Sequence, residues 1–409
     1  MDRKEFLATS YTAYHAVKNG VRMLRENGFE ELHLQQAWQL QEGGKYFLTQ
    51  NGTSLLAFRV GKNFVFNVAA SHTDSPSLHV KGNGVLKSPA GNRLDVEKYG
   101  GLILYSLLDT PLKIAGRIVT EQNGTLVSQV VQSDYTVCIP SLSIHHNPKV
   151  NDGFAPNVQK EMLPLLGGAE DVYATLSDGE ILDADLYVVS AVQPFESGVR
   201  GEYLCSPRID NLTSVYASLS ALTASEPQNV AMICCFDNEE IGSETKQGAH
   251  SALLNTVLQK IAHGLDKTQE ELFAACLQGM ILSVDNAHAT HPAYPEKANP
   301  QGQVYLNRGI VIKHHVNYAT DGVSSAVLKQ LLREKGVEYQ DYYNRSDLRC
   351  GSTIGLMLSA DLAMNACDIG LAQLAMHSGV ETVGAEDLAR MDACLLAFLN
   401  APLTLPKEA

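Results

Sequence analysis

The sequence predicts an α/β fold interrupted by a β-rich insertion, and three features carry that prediction. From Arg208 onward, apolar strand-like runs alternate with segments of helical periodicity, the signature of a layered α/β structure. Between Gly84 and Gly201 that alternation gives way to short β-like runs separated by turn residues. The chain, at 409 residues, is also too long for one ordinary core. The expected division is a discontinuous α/β domain, 1–84 with 202–409, and an insertion over 85–201.

Near the N-terminus, Leu7, Tyr11, Tyr14, Val17, Val21 and Leu24 recur at three- and four-residue spacing. They predict one amphipathic helix, with Gly28 placed to stop it. Residues 54–59 and 64–70 read as neighbouring strands turned by Gly61, Lys62 and Asn63, and the second runs directly into His72 and Asp74. Within the insertion, 102–105, 117–120 and 135–139 are the β-like runs. Beyond it, helices are expected over 211–223, 322–335 and 385–399. Strands are expected over 230–236, 280–284 and within 363–371.

Composition narrows the function classes. With 45% hydrophobic and 19% charged residues the chain is an ordinary globular protein. A net charge of −14 disfavours nucleic acid and anionic membranes as partners, because both select clustered Lys and Arg. No apolar stretch has the length of a membrane span, and no apolar signal segment follows Met1, so a cytoplasmic location is expected. The eight cysteines are scattered without CxxC pairs and read as reduced, mostly buried thiols, with Cys234 and Cys235 on opposite faces of one strand.

The chemistry lies just beyond the apolar runs. Val230–Phe236 leads into Asp237, Asn238, Glu239 and Glu240, so the adjacent carboxylates of Glu239 and Glu240 stand at the end of a buried strand and require partners. His72 and Asp74, Asp285, and His377 also follow strand-like runs, and Asp210 precedes a helical segment. Loops at strand carboxyl ends of an open α/β sheet converge on one crevice. His72, Asp210, Glu240, Asp285 and His377 offer imidazole and carboxylate donors suited to zinc, manganese or cobalt. Five ligands exceed what one four-coordinate catalytic ion needs, whereas two divalent ions sharing a carboxylate would balance three carboxylates and a hydroxide. Asp74, two residues from His72, is spaced to orient that imidazole. Glu239, left over, is placed to take a proton from an attacking water and deliver it to a leaving nitrogen.

Six motifs, SHTDSP (71–76), PRIDNL (207–212), FDNEEIGSETKQGA (236–249), SVDNAHATHP (283–292), CGSTIG (350–355) and QLAMHS (373–378), resemble in order the signatures of the M18 metallopeptidases, the aspartyl aminopeptidase family. The resemblance implies an α/β catalytic domain of the dinuclear-zinc aminopeptidase type, with a β-rich dimerisation domain inserted in it. It implies two metal ions, zinc foremost with cobalt or manganese as alternatives. His72 and Asp285 would hold one ion, Glu240 and His377 the other, with Asp210 bridging. Glu239 matches the general base and Asp74 the residue that orients His72. His145 matches a histidine that enters the neighbouring subunit's active site and stabilises the oxyanion, and Lys313 matches a lysine suited to an acidic P1 side chain. His288, close after Asp285, is a further candidate for the pocket. The family pattern also implies a tetrahedral dodecamer that admits short peptides to an internal chamber. Arg349 stands where the family often has proline, a departure that bears on the adjacent pocket. The expected activity is therefore removal of N-terminal residues, acidic ones preferred, from peptides. The rivals are an amide deacylase or carboxypeptidase on a similar core, and a non-catalytic self-assembling shell.

Overall fold

The computed structural model describes residues 1–403 and 405. Its centre is a nine-stranded mixed sheet running, edge to edge, Glu30–Glu31, Lys45–Gln50, Ser54–Arg59, Val230–Phe236, Phe66–His72, Met280–Val284, Asn365–Gly370, Ile310–His314 and Tyr339–Tyr343. Phe66–His72, Val230–Phe236 and Met280–Val284 are buried along their whole length, as central strands between two helical layers must be. Helices Arg3–Thr9, Ala13–Glu26, Ile209–Ala224, Gly322–Lys335 and Ala385–Asn400 contribute to the core on one face. Leu253–Gly264, Gln269–Gln278 and Ile354–Leu362 cover the other. Cys235 packs into the first core and Cys234 into the second, on opposite faces as expected.

Two local expectations need correction. Residues 54–59 and 66–72 are not neighbours, because Val230–Phe236 lies between them, antiparallel to the first and parallel to the second. A strand with no charged residue on either face gains most from a central slot with partners on both edges, and the short Gly61 link leaves that slot open. The N-terminal helix is two helices, Arg3–Thr9 and Ala13–Glu26. Ser10, Tyr11 and Thr12 break it, with Thr12 extended at φ −141° and its hydroxyl bonded to His15 Nδ1 at 2.9 Å.

The insertion forms a separate six-stranded antiparallel sheet in the order Thr125–Gln132, Leu112–Gln122, Ile181–Ser190, Ser77–Leu86, Asn92–Tyr99 and Leu165–Gly167. It has its own core around Leu78, Ile114 and Leu186. Its strand Ser77–Leu86 runs through the expected boundary at 84/85, so the sheet begins soon after His72 leaves the central one. Residues 104–107 form a 3-10 turn, and 135–139 make only isolated bridges. Tyr14 Oη donates to Asp185 Oδ2 at 2.9 Å and Arg117 Nη1 to Asn51 O at 3.0 Å, tying this sheet to the α/β body. A five-stranded sheet of Phe195–Ser197, Tyr203–Ser206, Glu381–Gly384, Ala372–Leu374 and Ala287–His288 flanks the site. No helix among the described residues is long and apolar enough to cross a membrane.

Burial of His15 carries a pH consequence. Desolvation, with Lys18 and Arg208 nearby, pushes its imidazole down to about 4. A histidine in the unfolded chain takes up its proton near 6.5. Its contribution is therefore fully present above pH 6.5 and is lost as pH falls from there toward 4. Between pH 7 and pH 5 the loss is about 2 kcal/mol of folding stability. Denaturant titrations at the two pH values should show that difference shrink in His15→Gln, and an equal slope in both proteins would refute the assignment.

Candidate metal centre

Three parallel strands deliver most of the site. Val230–Phe236, Phe66–His72 and Met280–Val284 lie side by side, with Phe236 in register with His72, so their carboxyl ends share one rim. His72 closes its strand. Asp285 follows the third directly, and Glu239 and Glu240 occupy a 3-10 turn just after the first. Asp210 arrives at the start of helix Ile209–Ala224, and His377 from the turn between Ala372–Leu374 and Glu381–Gly384. Arg208, Asn238 and His377 adopt left-handed backbone at φ 58°, 63° and 66°, conformations that surrounding bonds must hold in place.

The five predicted ligands gather as two triads that share one residue. His72, Asp210 and Asp285 form the first, and Asp210, Glu240 and His377 the second. His72 Nε2 lies 3.4 Å from Asp210 Oδ1 and 3.5 Å from Asp285 Oδ1. His377 Nε2 lies 3.5 Å from Asp210 Oδ2 and 3.4 Å from Glu240 Oε2. Each oxygen of Asp210 thus faces a different triad. Two donors about 2.0–2.1 Å from one tetrahedral ion stand about 3.3–3.5 Å apart, so these separations suit ligands around a cation better than direct hydrogen bonds. Asp210 Oδ1 and Glu240 Oε1 are buried without a hydrogen-bond partner, which is costly unless a cation satisfies them. The donor set and its geometry therefore fit divalent metal.

Electrostatics agree. Burial pushes the Glu240 carboxyl well above its ordinary range, with Asp210 adding repulsion. Burial likewise takes Glu239 up to about 8, against the pull of His72 and with help from Asp285, Asp74 and Asp210. Burial also opposes the charge on Asp210, but His377 and His72 outweigh it and hold that carboxyl well below the usual range. Carboxylates this crowded are stabilised by nearby cations.

The surrounding contacts refine the expected roles. His72 Nδ1 lies 3.1 Å from the main-chain carbonyl of Asp74 and 3.4 Å from its Oδ1, which leaves Nε2 for the cluster. The Asp74 carboxylate chiefly holds backbone: Oδ1 accepts from Glu239 N and Oδ2 from Glu240 N, both at 3.1 Å, and Oδ2 also accepts from Tyr99 Oη at 2.7 Å. Glu239 also lies within a third cluster, with His72 and Glu240. On the far side, His377 Nδ1 donates to Gly101 O at 2.9 Å and Ile103 N to His377 O at 3.0 Å, so the insertion fastens this histidine. Tyr99, Gly101 and Glu381 escaped the sequence reading. Tyr99 looks like an ordinary strand tyrosine, Gly101 acts through its carbonyl, and Glu381 sits in an alternating strand as a surface residue would.

Of the remaining candidates, Lys313 and His288 border the cluster. Lys313 is buried, with Nζ 3.1 Å from Asn286 O, 3.5 Å from Asp285 Oδ2 and 5.2 Å from the Tyr318 ring centroid. His288 is exposed at the end of its short strand, and Arg349 is exposed beside Cys350, whose thiol bonds to Tyr318 Oη at 3.2 Å. His145 lies on an exposed loop of the insertion and joins no metal-competent cluster among the described residues.

Comparison with known proteins follows the same line. The family model described as aminopeptidase I zinc metalloprotease (M18) matches residues 6–180 and 171–399. A probable M18 family aminopeptidase 2 of Clostridium acetobutylicum is 37% identical over 422 residues, covering 97% of both chains. Among solved structures, a chain of the cryo-EM structure of the Ape4 and Nbr1 complex superposes with a TM-score of 0.91 at 31% identity, over 97% of this chain and 84% of that one. The mApe1 dodecamer of S. cerevesiae gives 0.82 at 26% identity, over 97% and 95%.

Proposed function

Because the chain belongs to the M18 family of zinc metallopeptidases and is an aminopeptidase, we propose that it removes single N-terminal residues, acidic ones by preference, from short peptides at a site for two divalent ions. The observation that supports the two-ion reading is the sharing of Asp210, one oxygen toward His72 and the other toward His377. Bound there, such cations would make water nucleophilic near neutral pH and polarise the scissile carbonyl. Glu239 takes the proton of the attacking water and returns it to the leaving amine. Asp74 keeps Glu239 and Glu240 in place through their backbone N–H groups. His145, donated by a neighbouring subunit, hydrogen-bonds the developing oxyanion.

That last role requires an oligomer, and the related chain solved as a dodecamer supports a homo-oligomer of the same kind. In it, 85–201 serves as the dimerisation unit and short peptides are the admitted substrates. A place in the reducing cytoplasm is supported by eight free cysteines, six of them buried.

The test uses free and N-acetylated peptides with and without chelator. Hydrolysis of the free forms alone, abolished by chelator and restored by zinc, is expected. Cleavage of the blocked peptides would favour a deacylase instead.

Acidic preference rests on Lys313, the buried cation nearest Asp285. If it also meets an acidic P1 side chain, Lys313→Met should cut kcat/KM for Asp and Glu substrates about tenfold or more relative to Leu substrates. An equal fall across all substrates would mean that Lys313 serves Asp285 alone.

A further inference from the structure

Asp74 is one of two buried carboxylates at this site whose oxygens each hold a different backbone N–H. The other is Glu381, 2% exposed, the first residue of strand Glu381–Gly384. Its Oε2 accepts from Asp210 N at 2.9 Å and its Oε1 from His377 N at 2.6 Å. Asp210 and Glu381 are 171 residues apart in sequence, while His377 is four residues from Glu381. The pairing of Ser206 with Glu381 brings the chain entering Asp210 alongside the turn that carries His377. Besides this carboxylate, the direct link between the two ligands is the 3.5 Å approach of His377 Nε2 to Asp210 Oδ2.

We infer that Glu381 is a positioning residue that sets the spacing of Asp210 and His377, and so governs affinity for the ion held by Asp210, Glu240 and His377. The inference rests on the two-ion reading above. Asp210 enters its helix two residues after left-handed Arg208, and His377 is itself left-handed on a turn, so their side-chain rotamers alone do not fix where the donor atoms lie. A carboxylate accepts two N–H donors at once, whereas an amide offers one oxygen and turns its NH2 toward the second donor. Glu381→Gln therefore keeps the size of the side chain and loses one of the two bonds. Glu381→Ala loses both.

Zinc anomalous scattering from crystals equilibrated at graded free zinc reads occupancy at each position separately. In Glu381→Gln the position among Asp210, Glu240 and His377 should need about 10–100-fold more zinc for half occupancy, the usual cost of a lost supporting bond. The position at His72 and Asp285 should change less than about threefold. Full rescue of occupancy at high zinc, with unchanged melting temperature there, would separate positioning from a folding defect. Equal weakening at both positions, or at neither, overturns the inference, and Glu381→Gln carries the test even if Glu381→Ala does not fold. Wild-type protein that binds one ion at saturating zinc would overturn the two-ion reading itself, an outcome visible before any variant is made.

Discussion

Glu239→Gln should retain both metal ions and the fold while losing turnover by about 10²–10⁴-fold, the range that general acid–base catalysis contributes. The substitution preserves shape and the backbone bond from Glu239 N to Asp74 Oδ1, and removes the carboxylate's charge and with it the capacity to carry a proton. Metal content, circular dichroism and single-turnover hydrolysis measured together make the test specific. The main competing role for Glu239 is that of a ligand, because it clusters with His72 and Glu240. Zinc content falling along with activity would assign it that role, and unchanged turnover would remove it from the reaction altogether.

The second large effect concerns Asp210. Replacement by Asn should take metal content below two per subunit and depress activity about 10³-fold or more, since several kcal/mol of charge stabilisation in the transition state depends on the cations. Asn offers one neutral oxygen in place of two charged ones. Its NH2 would face either His72 Nε2 or His377 Nε2, each now within 3.5 Å of a carboxylate oxygen. A conservative change in size is thus a large change in chemistry. Full activity with two bound ions in Asp210→Asn would end the claim that Asp210 is shared.

Much of this site could be read from the chain because strand ends announce themselves. His72, Glu240 and Asp285 each follow an apolar run closely, and charge beside a buried strand has few explanations. The alternation of strands and helices beyond Arg208 was equally plain, and the helices Gly322–Lys335 and Ala385–Asn400 lie within a residue of where periodicity put them. Strand order was not plain. The slot that Val230–Phe236 takes between Ser54–Arg59 and Phe66–His72 depends on pairing across more than 160 residues, which leaves no mark in a local pattern. The break at Ser10–Thr12 hid beneath an unbroken apolar stripe.

By itself, then, the sequence singled out the five side chains that the fold gathers into two triads, because residue type and its place after a buried strand are local properties. Tertiary structure alone decided how they work together: which oxygen of Asp210 meets which histidine, that Asp74 grips backbone more than imidazole, and that Glu381 joins two distant ligands. Those facts depend on contacts between segments far apart in sequence that meet only when the sheets pack.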